Sequence, residues 1–286
     1  KTLTIAKRIE YLIMKHKVRP EEILVITFTK YAAWEMKNRT RSICGPSSYA
    51  VTFGTFHGIY YGILKWAYRL NQSNLLSDEE KYRILREILP GIDWDQEPEA
   101  DEEKDYLQEL AIEIGNVKNN CMDIEEYEPV KYTTEKFRKL YRTYEETKKK
   151  YRKIDFEDML IQCRDLFMKR PDILKKWQEK FQYILVDEFQ DVNQAQYDVV
   201  RMLAAPQDNL FVVGDDDQSV YGFRGAKPGI MMEFMKDYPK ARQILLDVNY
   251  RSSGYIVKGA LRVIGNNKIR FEKKIEAFRK PDETVH

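Results

Sequence analysis

The chain holds 286 residues, 43% hydrophobic and 33% charged, with a net charge of +2. That length supports one large domain or two modest ones, and the near balance of charge excludes a global basic field, so any nucleic-acid surface must come from local segregation of cations. Cys44, Cys121 and Cys163 stand far apart in no metal-ligand spacing, as in a reducing compartment, and no signal peptide or run of membrane-spanning length is visible.

The chain opens on Lys1 and ends on a polar tail at His286, which reads as a piece cut at both ends. Lys1-Thr2 leads straight into a helical pattern with Ile5, Ile9, Leu12 and Ile13 on one face. A phosphate-binding loop of the form G-x-x-x-x-G-K-[ST] ends in such a pair, its helix starting at the Lys; alone, the pair specifies almost nothing. Ile23 to Ile26 is an apolar run that suits a buried strand, followed from about Lys30 by a helix with Ala32, Ala33 and Met36 inward and Lys37, Arg39 and Arg41 outward. Between them, Thr27 and Thr29 offer hydroxyls to phosphates and Phe28 offers a ring to a base, or Phe28 packs in the core. Val51 to Gly58 is a third strand-to-helix junction. His57 there is either a phosphate donor or a satisfied structural residue.

Composition shifts at Asn71 to Asn74, where a boundary is expected. Ser77-Asp78-Glu79-Glu80 is a capping box for a helix to about Leu89. Residues 93–105 carry eight acids against one Lys and read as an exposed loop; helices follow over about 102–119 and 133–152, the second burying Phe137, Leu140, Tyr141 and Tyr144. Ten Lys or Arg against three acids between Lys131 and Lys153 are either a solvated helix face or a basic stripe for nucleic acid. Asp155 to Leu160 enters a helix to Phe167 in a role read as mainly structural.

Tyr183 to Val186 and Leu210 to Val213 are continuous apolar runs, each ending in acidic residues. Such runs suit strands buried on both faces of a parallel sheet, and ligands sit at the carboxyl ends of such strands. Asp187 and Glu188 are neighbours and point differently, one toward a metal and one toward a water, as an NTPase requires; the alternative is a solvated acidic turn. A helix is expected over Asn193 to Leu203, then a glycine-rich loop from Gly214 to Ala226. In that loop Gln218 is neutral and bidentate, fit to hydrogen-bond a γ-phosphate or its attacking water. Tyr221 and Phe223 are spaced to present parallel ring faces to bases, and Arg224 pairs with phosphate or braces the loop. Gln243 to Leu246 is expected to be the last strand of the sheet, with Tyr250 and Arg251 beyond it. A helix begins past Gly254, and Lys268 to Lys280 is basic.

The string Asp187-Glu188-Phe189-Gln190-Asp191, followed by Gly214-Asp215-Asp216-Asp217-Gln218 and on to Ala226, resembles motifs II and III of the UvrD/Rep/PcrA-like superfamily 1 helicases. Thr27 to Met36 is similar to motif Ia, Val51 to Gly58 to motif Ib, and Asp247-Val248-Asn249-Tyr250-Arg251-Ser252 to motif IV. The resemblance covers nearly all of residues 1–60 and 155–253. It implies an α/β fold, a RecA-like P-loop NTPase with a parallel sheet flanked by helices and an all-helical insertion. The motor domain would occupy 1–70 and 151–253, the insertion 71–150, and the start of a following segment 254–286.

The resemblance also implies ATP and Mg2+ as cofactors, and 3′→5′ translocation on single-stranded DNA and at single-strand/duplex junctions. It places the protein in the cytoplasm with the nucleoid, alongside repair or replication proteins. Lys1 would hold phosphate, Thr2 and Asp187 the metal, and Glu188 the attacking water. Gln218 and Arg251 would read the γ-phosphate, and Arg39 and Tyr250 would bind the nucleotide. Thr27, Phe28, Thr55, His57, Tyr221 and Phe223 would contact DNA. The glycine loop before Lys1 and the later motifs with a second arginine lie outside these residues, so the chain alone is expected not to unwind DNA and to hydrolyse ATP poorly. A helicase–nuclease subunit and a non-hydrolysing ATP-binding single-strand clamp stay open.

Overall fold

Strands β1 (Ile23–Thr27), β2 (Thr52–Thr55), β3 (Tyr183–Val186) and β4 (Leu210–Val212) form a parallel sheet in the order β2-β1-β3-β4. The structure is a computed structural model that describes residues 1–92, 102–219, 226–267 and 270–279. β1 is buried along its whole length and β3 from Ile184 onward, while the edge strands β2 and β4 are half-buried. That explains why the two central strands carry no polar alternation.

Pleating sends alternate residues to opposite faces. Ile23, Val25 and Leu185 face a core made with Ile5, Ile9, Leu12 and Met36 of α1 (Thr2–Met14) and α2 (Lys30–Cys44). Leu24, Ile26, Ile184 and Val186 face the other core. That second core is closed by α3 (Phe56–Tyr68), α7 (Phe156–Lys169), α8 (Pro171–Lys180), α9 (Gln194–Ala204) and Ile230 of α10 (Pro228–Asp237). Prolines sit at the first positions of α8 and α10, where their missing N–H is harmless. No helix among the described residues is long and apolar enough to cross a membrane.

Helices α4 (Asp78–Ile88), α5 (Glu103–Asn119) and α6 (Thr134–Lys150) build a separate apolar cluster, including Leu85, Leu110, Phe137, Leu140 and Tyr144. The chain enters and leaves this section side by side: Leu76 N donates to Ile154 O at 2.8 Å, and Ile154 N donates to Asn74 O at 2.8 Å. Of the expected acidic loop over 93–105, residues 93–101 lie outside the described residues, and α5 starts within its last part.

One expected element is not formed. Residues 243–246 are not a strand; Ile244, Leu245 and Leu246 are 67%, 46% and 52% exposed. The pairing falls instead on β5 (Val248–Ser253), which runs parallel to β6 (Glu276–Arg279) in a second, two-stranded sheet, with α11 (Gly254–Ile264) between them. A four-residue apolar run fixes neither its own conformation nor its partner. Here the backbone bonds go to β6, beginning with Glu276 N donating to Asp247 O at 2.8 Å.

Candidate nucleotide and nucleic-acid site

Register brings the strand ends to one edge: Thr27 is level with Thr55, Ile26 with Val186, and Val186 with Val212. The chain turns opposite ways from β1 and β3, and a topological switch of this kind leaves a crevice at the carboxyl edge. Asp187 leaves β3 there, 5% exposed. Glu188 follows in a left-handed conformation, φ 49°, which a side-chain-bearing residue adopts rarely and which often marks a site. Its N–H donates to Asp187 Oδ1 at 3.0 Å. The Lys1 ammonium pairs with the Glu188 carboxylate and donates to Gln218 Oε1 at 3.4 Å. Residues 1, 188 and 218, remote in sequence, thus meet at one point. Burial, and then the neighbouring Glu188 charge, push the Asp187 carboxyl above its ordinary range.

A buried amide joins the two acidic loops. Gln190, 2% exposed, donates through Nε2 to Glu188 Oε2 at 3.0 Å and accepts at Oε1 from Asp215 N at 2.9 Å. Gly214 permits that approach, since a Cβ there would meet Gln190 Oε1 at 2.9 Å and Met231 Sδ at 3.0 Å. Gln218 Nε2 in turn donates to Asp215 Oδ2 at 2.6 Å. A cation, two carboxylates and a neutral amide are therefore held at the sheet edge with little freedom to splay. The Asp187 carboxylate and a Thr2 hydroxyl are hard oxygen donors of the kind Mg2+ takes, and an ammonium beside them suits a phosphate.

The other candidates divide. Thr27 is fully buried and its hydroxyl donates to Thr29 O at 3.0 Å; Phe28 is half-buried; Thr55 caps α3, accepting from Gly58 N at 3.1 Å. His57 stacks on Phe156 with ring centroids 3.9 Å apart, and burial lowers its imidazole to about 4, so it is a neutral group at pH 7. Arg39 is exposed and pairs with Glu35 at 3.1 Å. Tyr250 and Arg251 sit on the second sheet, Tyr250 against Phe278 at 5.0 Å. None of the hydrogen bonds or ion pairs among the described residues joins either to Lys1, Glu188 or Gln218. Tyr221, Phe223 and Arg224 lie outside the described residues.

A parallel sheet whose carboxyl edge gathers Lys1, Asp187, Glu188 and Gln218 is what the family comparison also points to: residues 1–239 match the UvrD/REP helicase N-terminal domain. The chain belongs to that family. Its sheet is accordingly RecA-like. Among its relatives, it is 39% identical over 290 residues to the putative ATP-dependent DNA helicase YjcD of Bacillus subtilis (strain 168), covering 98% of this chain and 37% of that protein. It is 37% identical over 281 residues to the ATP-dependent DNA helicase PcrA of the same strain, covering 96% of this chain and 37% of that protein. To PcrA of Staphylococcus aureus (strain Mu50 / ATCC 700699) it is 34% identical over 294 residues, covering 100% and 39%. The chain thus spans less than two-fifths of these relatives' length.

Three features of this chain were not foreseen. Gln190 signalled itself only as a neutral amide inside an acidic string. Arg270 and Lys273, in the basic stretch near the end of the chain, bind the acids before Gln218: Arg270 to Asp217 at 2.6 Å, Lys273 to Asp215 at 2.6 Å, Asp217 at 3.1 Å and also Asp216. Burial works against the charge of Lys273, but these acids outweigh it and raise its pKa. Lastly, the basic stripe of 131–153 is only partly engaged within the chain, and Lys149, Lys150 and Arg152 stay exposed. Lys148 is 1% exposed among carboxylates, Arg138 donates to Ile124 O at 2.9 Å, Lys139 to Gly91 O at 3.1 Å, and Lys131 pairs with Glu109 at 2.8 Å.

Proposed function

We propose that this chain is the first motor domain of an ATP- and Mg2+-dependent DNA helicase or translocase that moves 3′→5′ along single-stranded DNA. The reading rests on one observation above the rest: Lys1, Asp187–Glu188 and Gln218 meet at the carboxyl edge of the sheet, bridged by Gln190. Mg-ATP, when bound, supplies the phosphoryl group and the charge that neutralises it. Lys1, which pairs with Glu188 here, would hold phosphate oxygens, and Asp187 and Thr2 would hold the metal. Glu188 would orient the attacking water. Gln218, hydrogen-bonded to Asp215, reports on the γ-phosphate to its loop, and Gln190 carries any shift between the two acidic segments.

Single-stranded DNA crosses the same edge at Phe28 and Thr55, with Thr27 buried beneath them. His57, neutral and stacked, contributes at most an N–H, and Tyr221 and Phe223 stack bases. Arg39 on α2, and Tyr250 and Arg251 on β5 of the second sheet, are the further nucleotide contacts of this reading. Residues 71–150 form a helical subdomain, and 254–286 begin the next segment. The cellular setting that fits is the cytoplasm, at the nucleoid, with repair or replication proteins nearby.

The test is ATP turnover with and without single-stranded DNA in the longest form of the protein that carries this chain, beside Glu188→Gln. Losing a positioned base lowers the rate about 10²–10⁴-fold. DNA-stimulated turnover that collapses in the variant is the expected result; DNA binding with no turnover in the wild type points to a clamp instead. Strand separation by the 286 residues alone would refute their assignment as half of a motor.

A further inference from the structure

Two large aromatic side chains stand in solvent beside the strand-end edge and take no part in the phosphate site. Tyr31 and Trp34 are 70% and 59% exposed. Their ring centroids lie 5.8 Å apart with planes inclined by 33°. They occupy the first two turns of α2 at i and i+3, so they share a face. The helix buries Ala33, Met36, Thr40 and Cys44 instead, so the core has no need of either ring. α2 starts directly after Thr27 to Thr29, the segment that leaves β1 at the carboxyl edge.

The surroundings are cationic. α2 carries Lys30, Lys37, Arg39 and Arg41 against the single acid Glu35, which Arg39 already engages at 3.1 Å. Exposed aromatic area among cations at a ligand-bearing edge matches what a single strand presents, bases on one side and phosphates on the other. Base–aromatic stacking tolerates any sequence, and the cations track the backbone. A protein partner would satisfy the rings equally, but an excess of three positive charges on one helix favours a polyanion.

We propose that Tyr31 and Trp34 form a base-stacking platform that extends the single-strand path from Phe28 onto the outer face of α2. The platform rests on the DNA-motor reading above and adds a contact point to it. It grips bases, not backbone, so it has a signature that charge alone does not share.

Fluorescence anisotropy on the chain with a labelled oligo-dT, and with a matched oligonucleotide containing a run of abasic residues, separates the two contributions. Tyr31→Ala/Trp34→Ala is expected to weaken oligo-dT binding about 5- to 150-fold per stacked base. The same variant should bind the abasic strand as the wild type does, and Tyr31→Phe/Trp34→Phe should restore oligo-dT affinity. Both positions are exposed, so an unchanged thermal midpoint accompanies the expected result. Equal losses on the two strands, or no loss on either as a protein-docking patch would give, overturn the platform while leaving the motor reading intact. A wild-type chain that binds neither strand removes the DNA reading and the platform with it.

Discussion

Two groups of lysines and carboxylates in this molecule share their chemistry and differ in burial. At the sheet edge, Lys1 and Glu188 keep 21% and 36% of their side-chain surface open to solvent. Between the helical section and the parallel sheet, Lys118 of α5 and Lys148 of α6 meet Asp155 and Asp158 at the start of α7, all four side chains at most 9% exposed. Lys118 reaches Asp155 Oδ2 and Asp158 Oδ1 at 2.7 Å each, Lys148 reaches Asp155 Oδ2 at 2.7 Å, and the Tyr144 hydroxyl donates to Asp155 at 3.1 Å. Glu145, Asp155 and Asp158 bring carboxylate oxygens within 4.8 Å, as metal ligands would, but two ammonium groups already stand among them. An ion pair that solvent reaches can exchange partners cheaply; one that solvent does not reach cannot, because any vacancy leaves a naked charge. The first is built to let a ligand in, the second to hold two parts of the chain together.

The largest expected effect tests that contrast. Lys118→Met leaves Asp155 and Asp158 short of a cation in the interior and should destabilise the chain by about 3–5 kcal/mol in denaturant unfolding. Burial opposes the charge of Asp155, yet Lys118 first and then Lys148 outweigh it and hold its carboxyl well below the ordinary range, and the substitution removes the larger of these two contributions. Lys1→Met, at the open site, should shift stability by about 1 kcal/mol or less while removing nucleotide affinity. Comparable losses from the two would show that burial is not what separates these groups.

The same contrast explains what could be read beforehand. Tyr183 to Val186 and Ile23 to Ile26 were legible because strands buried on both faces must be apolar throughout, and parallel register then brings their ends to one edge. The gathering of Asp187, Glu188 and Gln218 follows from topology, so strings of neighbouring residues announce it. Nothing comparable announces the buried cluster. Lys118 and Asp158 are 40 residues apart, and helical periodicity states which face is apolar but not which cation turns inward. Lys148 therefore looked like one more charge on a basic face. The capping box at Ser77 and the helix after Asn193 were visible from local chemistry. α8 and α10 were overlooked although Pro171 and Pro228 stand at their first positions. The partner of β5 was unreadable, since pairing between β5 and β6 is decided by residues some 28 positions on.

A smaller effect, dependent on pH, probes the seam between the two groups. His57 of α3 stacks on Phe156, the residue after Asp155, so it adjoins the buried cluster. Burial lowers its imidazole to about 4 in the folded chain. Unfolded, it takes up a proton near 6.5. The unfolded state therefore binds more protons between those values, and stability falls as the pH drops from about 6.5 to 4, by at most about 3 kcal/mol. Denaturant midpoints across that window, compared with His57→Phe, measure it. A slope that survives in the variant assigns the sensitivity to other groups, the carboxylates of the cluster first.

The smallest effect lies at the incoming end of the helical section, where local devices are open to solvent. Ser77 Oγ accepts from Glu80 N at 3.2 Å while Glu80 Oε2 accepts from Ser77 N at 3.0 Å, and Lys153 holds Glu80 at 2.8 Å across the outgoing segment. Lys153 first, then the Ser77 N–H, lower the Glu80 carboxyl to about 2. Ser77→Ala should cost about 1 kcal/mol, the ordinary worth of a helix cap. Combined with Lys118→Met, it should add within about 0.5 kcal/mol if the cap acts only on α4. A larger coupling would mean that the cap and the buried cluster are parts of one joint, because Lys81 in the first turns of α4 reaches Glu157 at 3.0 Å, between Asp155 and Asp158. In that event the helical section would be fastened to the parallel-sheet domain as one cooperative unit, and the division between exchangeable and fixed charge would run along its solvent rim rather than around Asp155.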